Sequence, residues 1–176
     1  EHWHTLGLTK IVLTIHNNRA AKHKGGLWDL GDSNSLFFKQ LTLKAPSKPA
    51  LSSALHDGEQ IHDGKRLAIY QDSSGGENWQ SRVHADRHGI VPCRFRGYQI
   101  HSGDQLIAEG LRATPSLRTA VNEIPIEITY PEFWQNFPSG IRCDRGVSVD
   151  FFPAAWNGPH ELQPGEQKTQ TIWIAC

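Results

Sequence analysis

Residues 161–176 read ELQPGEQKTQTIWIAC, and this stretch decides the fold. Gln163-Pro-Gly-Glu166 puts Pro at the second and Gly at the third position of a four-residue turn, as a type II turn requires. The run that follows, Lys168–Ala175, alternates and is strand-sized. A turn feeding a short alternating run is a β signal, because alternation sends successive side chains to opposite faces of a sheet.

The same signature recurs upstream. Leu8–Ile15 places Ile11, Leu13 and Ile15 on one face and Lys10, Val12 and Thr14 on the other. Ser35–Leu43 collects Phe37, Lys39, Leu41 and Leu43 on one face, with a charge interrupting it. Leu67–Gln71, Val91–His101, Gln105–Arg112, Ile124–Tyr130 and Val147–Phe152 read as further strands. Pro125 has to lie near a strand end or on an edge, because proline donates no ladder hydrogen bond. Sixteen Gly and ten Pro leave few stretches able to hold three helical turns. The one helix-like piece is Glu132–Phe137, a single turn between prolines. About eight strands separated by turn signals predict an all-β antiparallel sandwich, one domain over 1–176.

Composition narrows the function classes. Eighteen basic and eighteen acidic residues balance, so the basic stripe of a nucleic-acid-binding surface is not expected. No apolar run approaches the roughly 20 residues a membrane-spanning helix needs. Met is absent, and the sequence runs from Glu1 to a Cys176 that directly follows an apolar run. A fragment of a longer multidomain chain is therefore expected. Cys93, Cys143 and Cys176 are too few and too far apart for a disulfide framework or a zinc site, so incidental thiols are expected, with a Cys93–Cys143 bridge left open.

Two segments carry more polar and aromatic residues than a connection needs. His16–Ser35 contains GGLWDLGD (25–32), a shaped loop around Trp28 and Asp29 that serves either as a packed surface loop or as a binding loop. Gln71–Tyr98 gathers Asn78, Trp79, Arg82, His84, Arg87, His88, Arg94, Arg96 and Tyr98. Flat aromatic faces suit sugar rings, and arginine is the side chain best shaped to clamp a carboxylate. Alternation along Val91–His101 puts Arg94, Arg96 and Tyr98 on one face, which is either a solvated row paired with acids or a binding surface. His84, Asp86 and His88 share a face if extended, yet no further ligand cluster accompanies them, so no metal is expected. Asp72-Ser-Ser-Gly-Gly76 lacks the Lys and helix of a phosphate-binding loop, and no Gly-x-Ser-x-Gly elbow occurs. No cofactor is expected.

GGLWDLGD (25–32), QDSSGGENWQS (71–81), RFRGY (94–98), EFWQNFP (132–138) and ELQPGEQKTQTIWI (161–174), taken in this order, resemble the central β-sandwich domain of exo-rhamnogalacturonan lyase-like proteins, a polysaccharide lyase family. The resemblance covers essentially the whole sequence. It implies a super-sandwich-like β domain that works beside a helical toroid domain of the same parent chain. It also implies an acidic polysaccharide substrate, alternating rhamnose and galacturonate, cleaved by β-elimination.

That chemistry has three tasks: neutralising the uronate carboxylate, removing the C5 proton, and protonating the leaving oxygen. Arg82, Arg87, Arg94 and Arg96 suit the first, with Asn78 as a neutral alternative. His84, His88 and Tyr98 suit the base and acid roles. The resulting expectation is a catalytic group of His84, Arg94, Arg96 and Tyr98, with substrate contacts from Trp28, Asp29, Asn78, Trp79, Arg82, Arg87 and His88. The alternatives are a non-catalytic carbohydrate-binding module, stacking sugars on Trp28, Trp79 and Tyr98, and a structural brace between domains.

Overall fold

The structure, a computed structural model, describes residues 1–22, 30–46, 51–63 and 66–176. Within them are fifteen strands, and the strand pairings are antiparallel. Seven strands form one sheet, in the order β1 (His2–Trp3), β2 (Leu8–His16), β15 (Gln167–Ala175), β11 (Ile124–Thr129), β10 (Ser116–Val121), β5 (Ser52–His56) and β6 (Glu59–Asp63). Six form the other, in the order β4 (Leu41–Pro46), β13 (Gly146–Phe152), β12 (Ser139–Cys143), β7 (Leu67–Gln71), β8 (Tyr98–Ser102) and β9 (Gln105–Gly110). A small ribbon pairs β3 (Leu36–Phe38) with β14 (His160–Leu162).

The two large sheets face each other across one core. Leu117, Ile128 and Ile172 from the first sheet meet Ile69, Ile100, Ile141 and Val149 from the second, all nearly inaccessible to solvent. Burying an aliphatic side chain of this size contributes roughly 1.5–3 kcal/mol, so the sandwich is held chiefly by these facing rows. The chain is thus an all-β antiparallel sandwich.

Local chemistry explains the turns that survive from sequence to structure. Gly165 has φ +74°, and the Glu166 amide donates to the Gln163 carbonyl at 3.0 Å, which closes the type II turn ahead of β15. Pro125 is the second residue of β11, beyond Glu127 where β15 begins to pair, so its missing N–H interrupts no ladder.

Several expected elements are corrected. Strands are more numerous than eight, because β1, β5, β6, β10, β12 and β14 lie in stretches not read as strands. Ser35–Leu43 is not one strand: it breaks at Lys39-Gln40, and β3 and β4 join different sheets. Val91–His101 is extended strand only from Tyr98 onward, because Gly97 turns the chain with φ +84°. Glu132–Phe137 is a turn in which the Asn136 amide donates to the Glu132 carbonyl at 2.9 Å. The three cysteines, by contrast, are free thiols as expected, with Cys93 and Cys143 buried and Cys176 exposed.

The 71–81 segment explains its own unusual composition. Gln71, Asp72 and Ser73 are completely buried. Gln71 donates to the carbonyls of Ser73 (2.6 Å) and Leu111 (2.9 Å) and accepts from the Ala113 amide at 3.0 Å. Ser73 Oγ accepts from the Gly97 amide at 2.8 Å. Buried polar groups need such partners, and here they tie β7 to the segments before β8 and after β9. Gly97 is required at this junction: a Cβ there would sit 2.0 Å from the Gly110 carbonyl oxygen.

Candidate functional site

The outer face of the six-stranded sheet follows from alternation. Leu67, Ile69 and Gln71 of β7 point into the core, so Ala68 and Tyr70 point outward. Register then builds two rows across the face. Thr42, Asp150, Gly140, Tyr70 and Gln99 make one, and Lys44, Ser148, Arg142, Ala68 and His101 make the other. The small residues Gly140 and Ala68 floor a groove of about 660 Å³, walled by Arg94 and Phe95 on one side and by 153–155 on the other.

Two arginines in this groove are fixed by buried acids. Arg142 donates through Nε to Asp150 Oδ2 at 2.7 Å and through Nη2 to Oδ1 at 3.0 Å. Thr42 Oγ1 also donates to Asp150 Oδ1, at 2.7 Å. Arg94 donates through Nη2 and Nε to Asp72 Oδ1 at 3.2 and 3.3 Å, while the amides of Arg94 and Phe95 hold Asp72 Oδ2. Asp72 lies behind the groove and the largely buried Asp150 carboxylate in its lining, so the groove presents two held guanidiniums together with Lys44. Such pre-oriented, charge-assisted donors are the side chains that bind carboxylates best.

Tyr70 sits beneath Arg94, whose Cζ lies 5.3 Å from the ring centroid. Its hydroxyl is buried and has no hydrogen-bonding partner of acceptable geometry, although Asp72 is near enough to act on it electrostatically. Burial first, and then the Asp72 charge, push the phenol well above its ordinary range, so it stays protonated. The Asp150 hydrogen bond, opposed by burial, raises the Arg142 pKa further.

A second concavity, about 570 Å³, opens where residues 83–88, 135–138 and 156–161 meet β15. His84 stands edge-on to Phe137, with ring centroids 5.5 Å apart. Arg87 lies over the Phe37 ring at 4.5 Å and donates through Nε to His88 Nε2 at 3.0 Å. Asp86 Oδ1 accepts the amides of His88 (2.8 Å) and Ile90 (3.0 Å); burial opposes ionisation, but these bonds outweigh it and lower the carboxyl pKa. Asp86 is thus committed to its own loop. Among the described residues, no group of three or more His, Cys, Asp or Glu side chains is placed to hold a metal ion.

The expected site residues are therefore divided. His84, Arg87 and His88 share the cleft, and Arg94 belongs to the groove. Arg82 is exposed at the start of a short 3-10 turn capped by Ser81. Asn78 is exposed and gives its carbonyl to the Ser81 amide at 2.9 Å, and Trp79 is half-buried. Arg96 donates through Nε to the Gly75 carbonyl at 2.9 Å, holding the glycine-rich segment. Trp28 and Asp29 lie outside the described residues.

Tyr98 is a correction to the expected row. It points into the core and is 2% exposed, and its hydroxyl meets His56 Nδ1 at 2.8 Å. Burial, and then the Asp57 charge, raise its pKa. The reading failed because Gly97 breaks the alternation that joined Arg94 and Arg96 to Tyr98.

Sequence reasoning passed over Lys44, Tyr70, Asp72, Arg142, Asp150 and Trp156. Only Arg142 and Asp150 carried a local signal, as opposite charges flanking the Cys143-Asp-Arg-Gly146 turn. Compared with known proteins, the chain matches no protein-family model and no curated sequence.

Proposed function

We propose that this chain is the β-sandwich domain of a rhamnogalacturonan- or pectin-type polysaccharide lyase, contributing contacts to an acidic glycan beside a helical toroid domain. The observation that carries the reading is the pair of guanidiniums, Arg94 and Arg142, fixed by buried Asp72 and Asp150 in one groove. In β-elimination these arginines perform the first task. They offset the uronate charge, so that the proton at C5 becomes easier to remove.

The base and acid candidates expected from the sequence lie outside the groove, although His101 lines it. Tyr70 and Tyr98 are buried and held protonated, which removes them as bases. His84 and His88 line the separate cleft. This division favours a second reading, a non-catalytic carbohydrate-binding module that uses the same groove.

Calorimetric titration with galacturonate-bearing rhamnogalacturonan oligosaccharides, with neutral xylan oligosaccharides as the control, tests the shared part of both readings. Binding is expected for the acidic ligand alone and is expected to weaken at least about tenfold in Arg142→Ala, the value of a lost charge-assisted contact. Equal binding of the neutral ligand, or an unchanged Arg142→Ala, would defeat both. Ultraviolet detection of an unsaturated product separates them: the lyase domain joined to its partner domain forms it, and a binding module does not.

A further inference from the structure

Between groove and cleft lies a third hollow, about 530 Å³, lined by Phe37, Phe38, Lys39, Ala154, Trp156 and the Gly158-Pro159 pair. It shares Ala154 with the groove on one side. On the other side it shares Phe37, Trp156, Gly158 and Pro159 with the cleft. The three concavities thus run in series around the loop that joins β13 to β14.

That loop is built to hold its shape. The Trp156 amide donates to the Pro153 carbonyl at 3.2 Å, and the Gly158 amide donates to the Trp156 carbonyl at 3.0 Å. The buried His160 ring bonds through Nε2 to the same Pro153 carbonyl at 3.0 Å. Trp156 lies nearly parallel to His160, at 13° and 6.3 Å between centroids. A Cβ on Gly158 would meet nothing within 4 Å, so the space beside the loop is open.

The lining differs along this path. The groove carries Lys44, Arg94 and Arg142 together with the Asp150 carboxylate. The hollow is aromatic, with Lys39 as its one charged lining residue among those described. The cleft is mixed, with the charged Asp86, Arg87, Glu161 and Lys168 beside the amides of Asn136 and Asn157. Aromatic faces flanked by side-chain amides suit uncharged sugar rings, whose C–H faces are apolar and whose edges carry hydroxyls.

We infer that the groove, the hollow and the cleft are one track for an extended acidic oligosaccharide, which crosses the 153–159 loop over Trp156 with a uronate held in the groove. The inference rests on the groove reading above and deepens it. The ligand is a chain of several sugars and not a single uronate, and Trp156 senses its length.

The test is calorimetry with a rhamnogalacturonan ladder from the disaccharide to the octasaccharide. The wild-type affinity is expected to climb with length. Trp156→Ala is expected to cost about fivefold on the longest ligand, the range of a lost aromatic contact, and to leave the shortest unchanged. Phe37→Ala serves as the second variant, with near-ultraviolet circular dichroism confirming that each variant is folded. Binding that does not grow with length, or equal losses on short and long ligands, overturns the track and leaves the groove standing. Absence of binding at every length overturns the groove reading and the track with it.

Discussion

Asp72 is wholly buried, yet the Arg94 guanidinium that pairs with it at 3.2 Å keeps 44% of its side-chain surface in the groove. The two partners therefore have unequal jobs. The carboxylate is the hub of a buried network, and the arginine is the part of that network that faces outward.

Their truncations should differ accordingly. Asp72→Ala removes the acceptor of the Arg94 and Phe95 amides, and unpaired buried donors cost about 1–3 kcal/mol each. A loss of about 2–4 kcal/mol in urea unfolding is expected. Arg94→Ala leaves both amide bonds in place and should cost less than half as much, while weakening uronate binding. Equal destabilisation by the two would show that the ion pair, and not the amide cradle, holds the loop.

Acid should loosen the loop between β13 and β14 at His160. Burial leads, aided by the Lys168 charge and opposed by the Pro153 hydrogen bond, in holding this histidine below its ordinary 6.5. The folded protein then binds fewer protons than the unfolded chain between the lowered value and 6.5. Its contribution is complete above 6.5 and is lost as pH falls through that window. Urea midpoints measured from pH 8 to pH 5 should decline across it, and His160→Gln should flatten that part of the decline.

Two glycines with similar left-handed backbones make a controlled pair. Gly58, φ +83°, has open space where a Cβ would go, so Gly58→Ala should cost only the conformational penalty of about 1–2 kcal/mol. Gly97, φ +84°, would place a Cβ against the Gly110 carbonyl, and Gly97→Ala should cost about 3 kcal/mol or more. Thermal melts of both variants give the comparison, and similar losses would contradict the crowding argument.

Thiol labelling offers a direct reading of the fold. Burial pushes the Cys93 thiol up to about 11, Cys143 is buried beside the Thr119 hydroxyl at 3.2 Å, and Cys176 is exposed. Alkylation of the native chain at pH 8, followed by mass spectrometry, should modify Cys176 alone, and denaturant should open the other two. Rapid native labelling of Cys93 would place it outside the core.

The sandwich was legible wherever local chemistry decides structure. Pro164 and Gly165 announced the turn before β15, and Ile11, Leu13 and Ile15 announced the inward face of β2. The β5–β6 hairpin was also legible in principle, since Asp57-Gly58 is a two-residue turn with both φ values positive. The groove was not. Lys44, Tyr70 and Arg142 converge only through the register of separate strands, where a one-residue slip would turn a side chain inward, and Arg94 joins them from the segment before β8. Asp72 reads from sequence only as the start of a glycine-rich run, because sequence shows composition and not the amides that a carboxylate will find.

The position of β15 has a consequence for how the molecule is assembled. It lies between β2 and β11, and Thr14 bonds Thr169 across 155 positions of sequence. Until β15 docks, β2 and β11 each present an unpaired, partly apolar edge, the template on which strands of other copies add. Closing so long a loop makes docking a slow event. Crowded, hot or dilute-chaperone conditions should therefore be felt first as aggregation during synthesis or refolding, long before the finished sandwich itself gives way.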